Sequence, residues 1–61
     1  MKNHIKEIRI SRGLTRAQLA DLIGCSPRTI ESYELGVRSP RVITLCELCV
    51  ALNCNINDLL H

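Results

Sequence analysis

Aromatic residues are nearly missing from this chain of 61 residues. It has no Trp and no Phe, and Tyr33 is its one ring of that kind. A surface that stacks single-stranded bases or RNA on aromatic rings is therefore poorly supplied. Proline is used twice and glycine three times, so long loops have few of the residues that build them. No apolar run approaches the length of a membrane span. The N-terminus, MKNHIKEIRI, is charged and amphipathic and has no unbroken apolar core of signal-peptide length. The expectation is a cytoplasmic protein, with its cysteines kept as thiols. The shortness of the chain excludes most catalytic architectures. A domain of this size buries only about 60% of the surface its unfolded chain exposes. That leaves room for a binding surface but not for a cleft with a supporting shell. No nucleophile–base pair, glycine phosphate loop or carboxylate pair stands at useful spacing, so an enzyme is not expected.

Four cysteines, Cys25, Cys46, Cys49 and Cys54, raise the question of a metal. Cys46-x-x-Cys49 has a familiar spacing, yet it falls inside a strongly helical segment and no second pair follows it. His4 and His61 stand at the chain ends. Free cysteine packs as a small hydrophobe, so Cys25, Cys46 and Cys49 are expected in the core and Cys54 part-exposed. No metal or other cofactor is expected.

What the chain does have is helix punctuation. Thr15 and Gln18 form a capping box, Gly24 is placed to end that helix with a positive φ, Ser26 caps the next, and Pro27 sits at its first position. Gly36 stops it. The link Gly24-Cys25-Ser26 is too short to let two helices drift, so they must cross steeply, as in a helix-turn-helix. Along the whole chain, five helices are expected: 2–12, 15–23, 26–35, 41–52 and 56–60. Asn53 is the candidate C-cap of the fourth, and Asn55 and Asp58 open the fifth. On the fourth, Val42, Leu45, Leu48, Cys49 and Leu52 recur at helical spacing as a core stripe. The fold class expected is all-α, a compact five-helix orthogonal bundle forming one domain over residues 1–61.

On a wheel of the third helix, Ile30, Tyr33 and Glu34 share one side, while Arg28, Ser32 and Leu35 lie opposite. Ile30 must face the core. Arg28 and Ser32 then face outward with the chemistry to read base edges in a major groove, and Ser26 and Pro27 sit at the helix tip. Thr15, Arg16, Thr29, Arg38 and Arg41 frame that helix as candidate phosphate contacts. Glu34 falls on the buried side and needs a partner. Arg9, on the core stripe of the first helix, is the candidate for a structural salt bridge.

The residues Ile5-Lys6-x-x-Arg9, Gly13-Leu14-Thr15, Leu19-Ala20, Gly24, Ser26, Thr29-Ile30, Tyr33-Glu34-x-Gly36, Arg38-x-Pro40, Leu45, Leu48, Ala51-Leu52 and Asp58-x-Leu60 resemble the Cro/phage-repressor (XRE-like) helix-turn-helix family, without a gap from Ile5 to Leu60. The resemblance implies a lambda-repressor-like DNA-binding domain that usually binds operator DNA as a dimer. It also implies base reading by Pro27, Arg28 and Ser32 with Ser26 at the tip, and a core bridge from Arg9 to Glu34. Five departures stand out. Arg16 replaces a Gln that braces the recognition helix, and is expected to touch phosphate more readily than to brace. Tyr33 stands where Trp is common. Leu35 replaces a polar residue, and Leu22 and Ile10 stand where charge is usual.

The expected function is a sequence-specific double-stranded DNA-binding transcriptional regulator, a repressor acting as a homodimer on a near-palindromic operator. The dimer contact is expected over Cys54, Ile56, Leu59 and Leu60, beyond the recognition helix. No membrane partner and no small-molecule ligand domain is expected. The rival reading is a protein-interaction module, antitoxin-like or an adaptor, that keeps the fold without reading an operator.

Overall fold

The computed structural model describes residues 3–60. Five helices follow one another: α1 (Ile5–Ser11), α2 (Arg16–Ile23), α3 (Pro27–Glu34), α4 (Val42–Leu52) and α5 (Ile56–Leu60), and no strand occurs among the described residues. Each capping residue lies just outside its helix, which accounts for the shorter bounds of α2, α3 and α4. Thr15 and Ser26 both adopt extended backbone and accept an N–H three residues on, from Gln18 and Thr29. The Gln18 side chain returns the favour to the Thr15 N–H at 2.8 Å, completing the box. α1 is later than expected. It starts at Ile5, whose N–H is held by Asn3 Oδ1 at 3.1 Å; Lys2, also expected in it, lies outside the described residues.

Gly24 ends α2 at φ 76°, and its N–H donates to Ala20 O at 2.8 Å. A Cβ there would meet nothing within 4 Å. The glycine is thus required by its backbone conformation rather than by space. α4 ends at Asn53, φ 52°, the one non-glycine residue of positive φ among those described. The Asn53 and Cys54 N–H groups reach back to Val50 O and Cys49 O, the paired bonds that close a helix end.

The core is built from Ile5, Leu19, Ala20, Ile30, Tyr33, Leu45, Leu48, Leu52 and Leu59, contributed by all five helices. Ala20 is almost without exposed surface, a small side chain placed within the core. Two expectations for α4 do not hold. Val42 and Cys46 are exposed rather than in the core. Apolar residues occur on every side of α4, so helical spacing alone could not tell which stripe turns inward; packing chose Leu45, Leu48 and Leu52. Cys25, Cys49 and Cys54 are half-buried against that core. No helix among the described residues is long and apolar enough to cross a membrane.

Candidate nucleic-acid interface

The short link after Gly24 presents the N-terminal turn of α3 to solvent. Ser26, Pro27 and Arg28 are exposed; Thr29 and Ser32 are half-buried. Ser26 Oγ accepts the Thr29 N–H at 3.2 Å and shares a hydrogen bond with the Thr29 hydroxyl at 3.1 Å. Both hydroxyls therefore begin by holding the helix start, with capacity left over for a ligand. Thr15, likewise exposed, is occupied by its own capping box.

The chain after α3 folds back onto it. Ser32 O accepts from both the Val37 N–H, at 3.1 Å, and the Arg38 N–H, at 3.2 Å. Arg38 is thereby fixed alongside the middle of α3. Pro40 is buried and Arg41, in extended backbone, is the N-cap of α4 with its side chain engaged in no cap. Among the described residues, Arg28, Arg38 and Arg41 are exposed and have no acidic partner. They are cations held by backbone geometry and free to meet an anion.

Arg9 and Arg16 serve differently. The Glu34 carboxylate, its side chain 1% exposed, takes Arg9 Nε on one oxygen at 2.5 Å and Arg16 Nε on the other at 2.9 Å. Arg9 Nη1 also donates to Leu14 O at 2.8 Å. One buried acid thus joins α1, α2 and α3, and both its oxygens are satisfied, which a buried carboxylate requires. Arg16 in addition reaches Glu31 at 3.7 Å. Arg16 does brace α3, which the sequence reading held to be the harder task for an arginine: the longer reach of a guanidinium lets it hold the buried carboxylate from the start of α2.

Sequence reading missed Arg12. Its Nε donates to Leu52 O at 2.7 Å and its Nη2 to Asn53 O at 3.3 Å, so the cation that caps the end of α1 covers the last carbonyls of α4. No local pattern announces a contact across 40 residues. Asn3, which donates to Tyr33 O at 2.8 Å, was missed for the same reason.

Of the four residues expected at a dimer contact in the C-terminal part, Leu59 is corrected. Leu59 is fully buried in the chain's own core, and its carbonyl accepts the His4 N–H at 2.7 Å. Cys54 and Leu60 pack against that core, leaving Ile56, 43% exposed, as the outward apolar residue of the four. A five-residue helix attached to so small a bundle spends Leu59 wholly, and Leu60 in part, on the fold. More exposed apolar surface lies elsewhere, at Ile10, Leu22, Leu35 and Val37 and, as a run, along α4. Among the described residues no three His, Cys, Asp or Glu side chains come together to hold a metal ion.

This geometry has known counterparts. The model of the helix-turn-helix family matches residues 5–59. An uncharacterized HTH-type transcriptional regulator, YgzD of Bacillus subtilis (strain 168), is 28% identical over 58 residues, covering 95% of this chain and 88% of that protein. Among solved structures, the P22 c2 repressor in complex with a synthetic operator superposes with a TM-score of 0.87 at 28% identity, over 93% of this chain and 86% of the other. The restriction-modification controller protein C.AhdI from Aeromonas hydrophila does so with a TM-score of 0.84 at 25% identity, over 90% and 80% of the two chains.

Proposed function

The chain belongs to the Cro/phage-repressor (XRE) type of helix-turn-helix family, and from that premise we propose that it represses transcription by placing α3 in the major groove of a specific operator. It is a DNA-binding transcriptional regulator and not an enzyme. The observation that carries the finer reading is the exposed start of α3, where Arg28 forms no ion pair among the described residues while Arg38 is tied beside Ser32. In this reading Arg28 and Ser32 read base edges, with Ser26 and Pro27 at the tip. Arg38 and Arg41 hold phosphates, aided by Thr15 and Thr29, and so set register. Arg16 contributes from the edge, since its side chain is still 37% exposed while Nε holds Glu34. The 61 residues act as one DNA-binding domain.

A single α3 spans only a few base pairs, too few for the affinities of about 10⁻⁸ M or tighter typical of operators. Two copies one helical turn apart on a near-palindrome supply the rest. The test is selection of bound duplexes from a random pool, followed by the mass of the complex on the selected sequence. A two-fold symmetric consensus bound by two chains is the expected result; pools that return no consensus at low salt would defeat the reading.

A second reading, an interaction module that reads no operator, draws on the exposed Leu22 and Leu35. It requires that salt-sensitive binding to random duplex be absent, and a gel shift at low salt decides that.

A further inference from the structure

α4 turns a second apolar face outward, opposite its core stripe. Val42, Ile43, Cys46 and Val50 follow one another along it, and Val50 is 83% exposed. Leu22 of α2, 61% exposed, extends the face sideways, and a groove lined by Leu22, Ile43, Cys46, Glu47, Val50 and Ala51 runs between the two helices. Thr44 and Glu47 are the two polar residues in the whole of α4. A helix that is apolar all round belongs in an interior, and within this chain only one side of α4 has one.

We propose that a second copy of this chain covers the face, α4 packing on α4 about a two-fold axis near Cys46. This rests on the operator-binding reading above, which calls for two copies, and gives them their contact. Area supports it. The four aliphatic side chains and Cys46 offer roughly 350 Å² of apolar surface. Interfaces are about 60% apolar, so the footprint is about 600 Å² per copy, at the lower edge of specific contacts. Shape supports it too. A two-fold contact must be complementary to itself, and here a small residue, Cys46, stands midway between β-branched Ile43 and Val50. Two antiparallel helices can approach closely where the two Cys46 meet. The groove includes no residue of α3, so Ser26, Pro27 and Arg28 stay open to DNA in the paired state.

The experiment is sedimentation velocity over a concentration series, on the wild type, Val50→Glu and Ile43→Glu. Both positions are solvent-exposed, so the variants should keep the fold, which far-UV circular dichroism and urea unfolding verify on the same samples. The wild type should form a dimer in the micromolar range, and each variant should weaken it at least tenfold. A short bismaleimide should link wild-type chains through Cys46, with the product lost in Cys46→Ser. A wild type that stays monomeric throughout, a dimer untouched by both variants, or crosslinking that survives Cys46→Ser would each overturn the proposal. The same samples in a gel shift on random duplex report the regulator reading separately: salt-sensitive binding by a monomer would remove this face as the dimer contact and leave DNA binding standing.

Discussion

Glu34 shows how much one side chain can organise in a chain this small. Its two oxygens are divided between Arg9 and Arg16, so α3 is tied to both α1 and α2. Removing one member of a buried ion pair is expensive, on the order of 3–5 kcal/mol, because the survivor keeps its charge without its partner. Arg9→Met should fall at the lower end, about 3 kcal/mol, since Arg16 still holds the other oxygen. Urea unfolding measures it, and a loss below about 1 kcal/mol would mean that the pair does not fasten α1 to α3. Arg28 is the contrasting case, an arginine with nothing to hold inside the protein. Arg28→Ala should leave stability unchanged within about 0.5 kcal/mol. It should reduce discrimination at one operator base pair by roughly 1–3 kcal/mol. Equal losses on operator and random duplex would remove it from base reading.

Among the elements, α2 and α3 are legible in the sequence because their signals are local. Thr15 with Gln18, Gly24, and Ser26 with Pro27 each act within one helical turn, and each does in the structure what its position implies. The turn between them depends on the left-handed backbone at Gly24. Gly24→Ala should destabilise the fold by about 1–2 kcal/mol through backbone strain alone, because a methyl group meets no neighbour there. Gly24→Asn should cost less, and thermal unfolding of the pair would show the order. Equal stability of glycine and alanine at this site would contradict the strain explanation. α4 was legible as a helix but not as to its orientation, because Val42 and Cys46 are as apolar as the residues that face the core. α5 was legible in extent and only partly in purpose: of the apolar residues Ile56, Leu59 and Leu60 expected to face a partner, Leu59 is consumed by the bundle itself.

For the molecule as a whole, the net charge of +2 understates its fitness for DNA. Arg9 is committed to Glu34 and Arg12 to the end of α4, Arg16 shares Glu34 from a part-exposed position, and Arg28, Arg38 and Arg41, around one exposed helix, have no acidic partner among the described residues. If Arg28 reads a base while Arg38, Arg41 and the partly exposed Arg16 neutralise phosphates, non-specific binding should weaken with salt at a slope near −3 per chain on a log–log plot. Arg38→Ala should bring it nearer −2 on any duplex. An unchanged slope would rule out its phosphate contact. Stability has its own dependence on pH. Burial pushes the Cys25 thiol up, with Glu47 adding to the shift; burial also raises Cys54, helped by Cys49 and Asp58. A thiol whose folded pKa lies above its unfolded value keeps its proton longer in the folded chain. The unfolded chain ionises first, so stability is full below the unfolded thiol pKa and declines as pH rises past it. Chemical unfolding at alkaline pH should show that decline, and Cys25→Ser and Cys54→Ser should each lessen it.

Helix starts and stops, the all-α class and the outward arginine of α3 could be read from the residues, because caps and turns act over three or four positions and one amphipathic helix reveals its own inner side. The sharing of Glu34 between two helices, Arg12 laid over the end of α4, and the choice of which apolar stripe of α4 meets the core could not. Those depend on side chains 18 to 40 positions apart arriving at one place, and close packing, not local preference, brings them there.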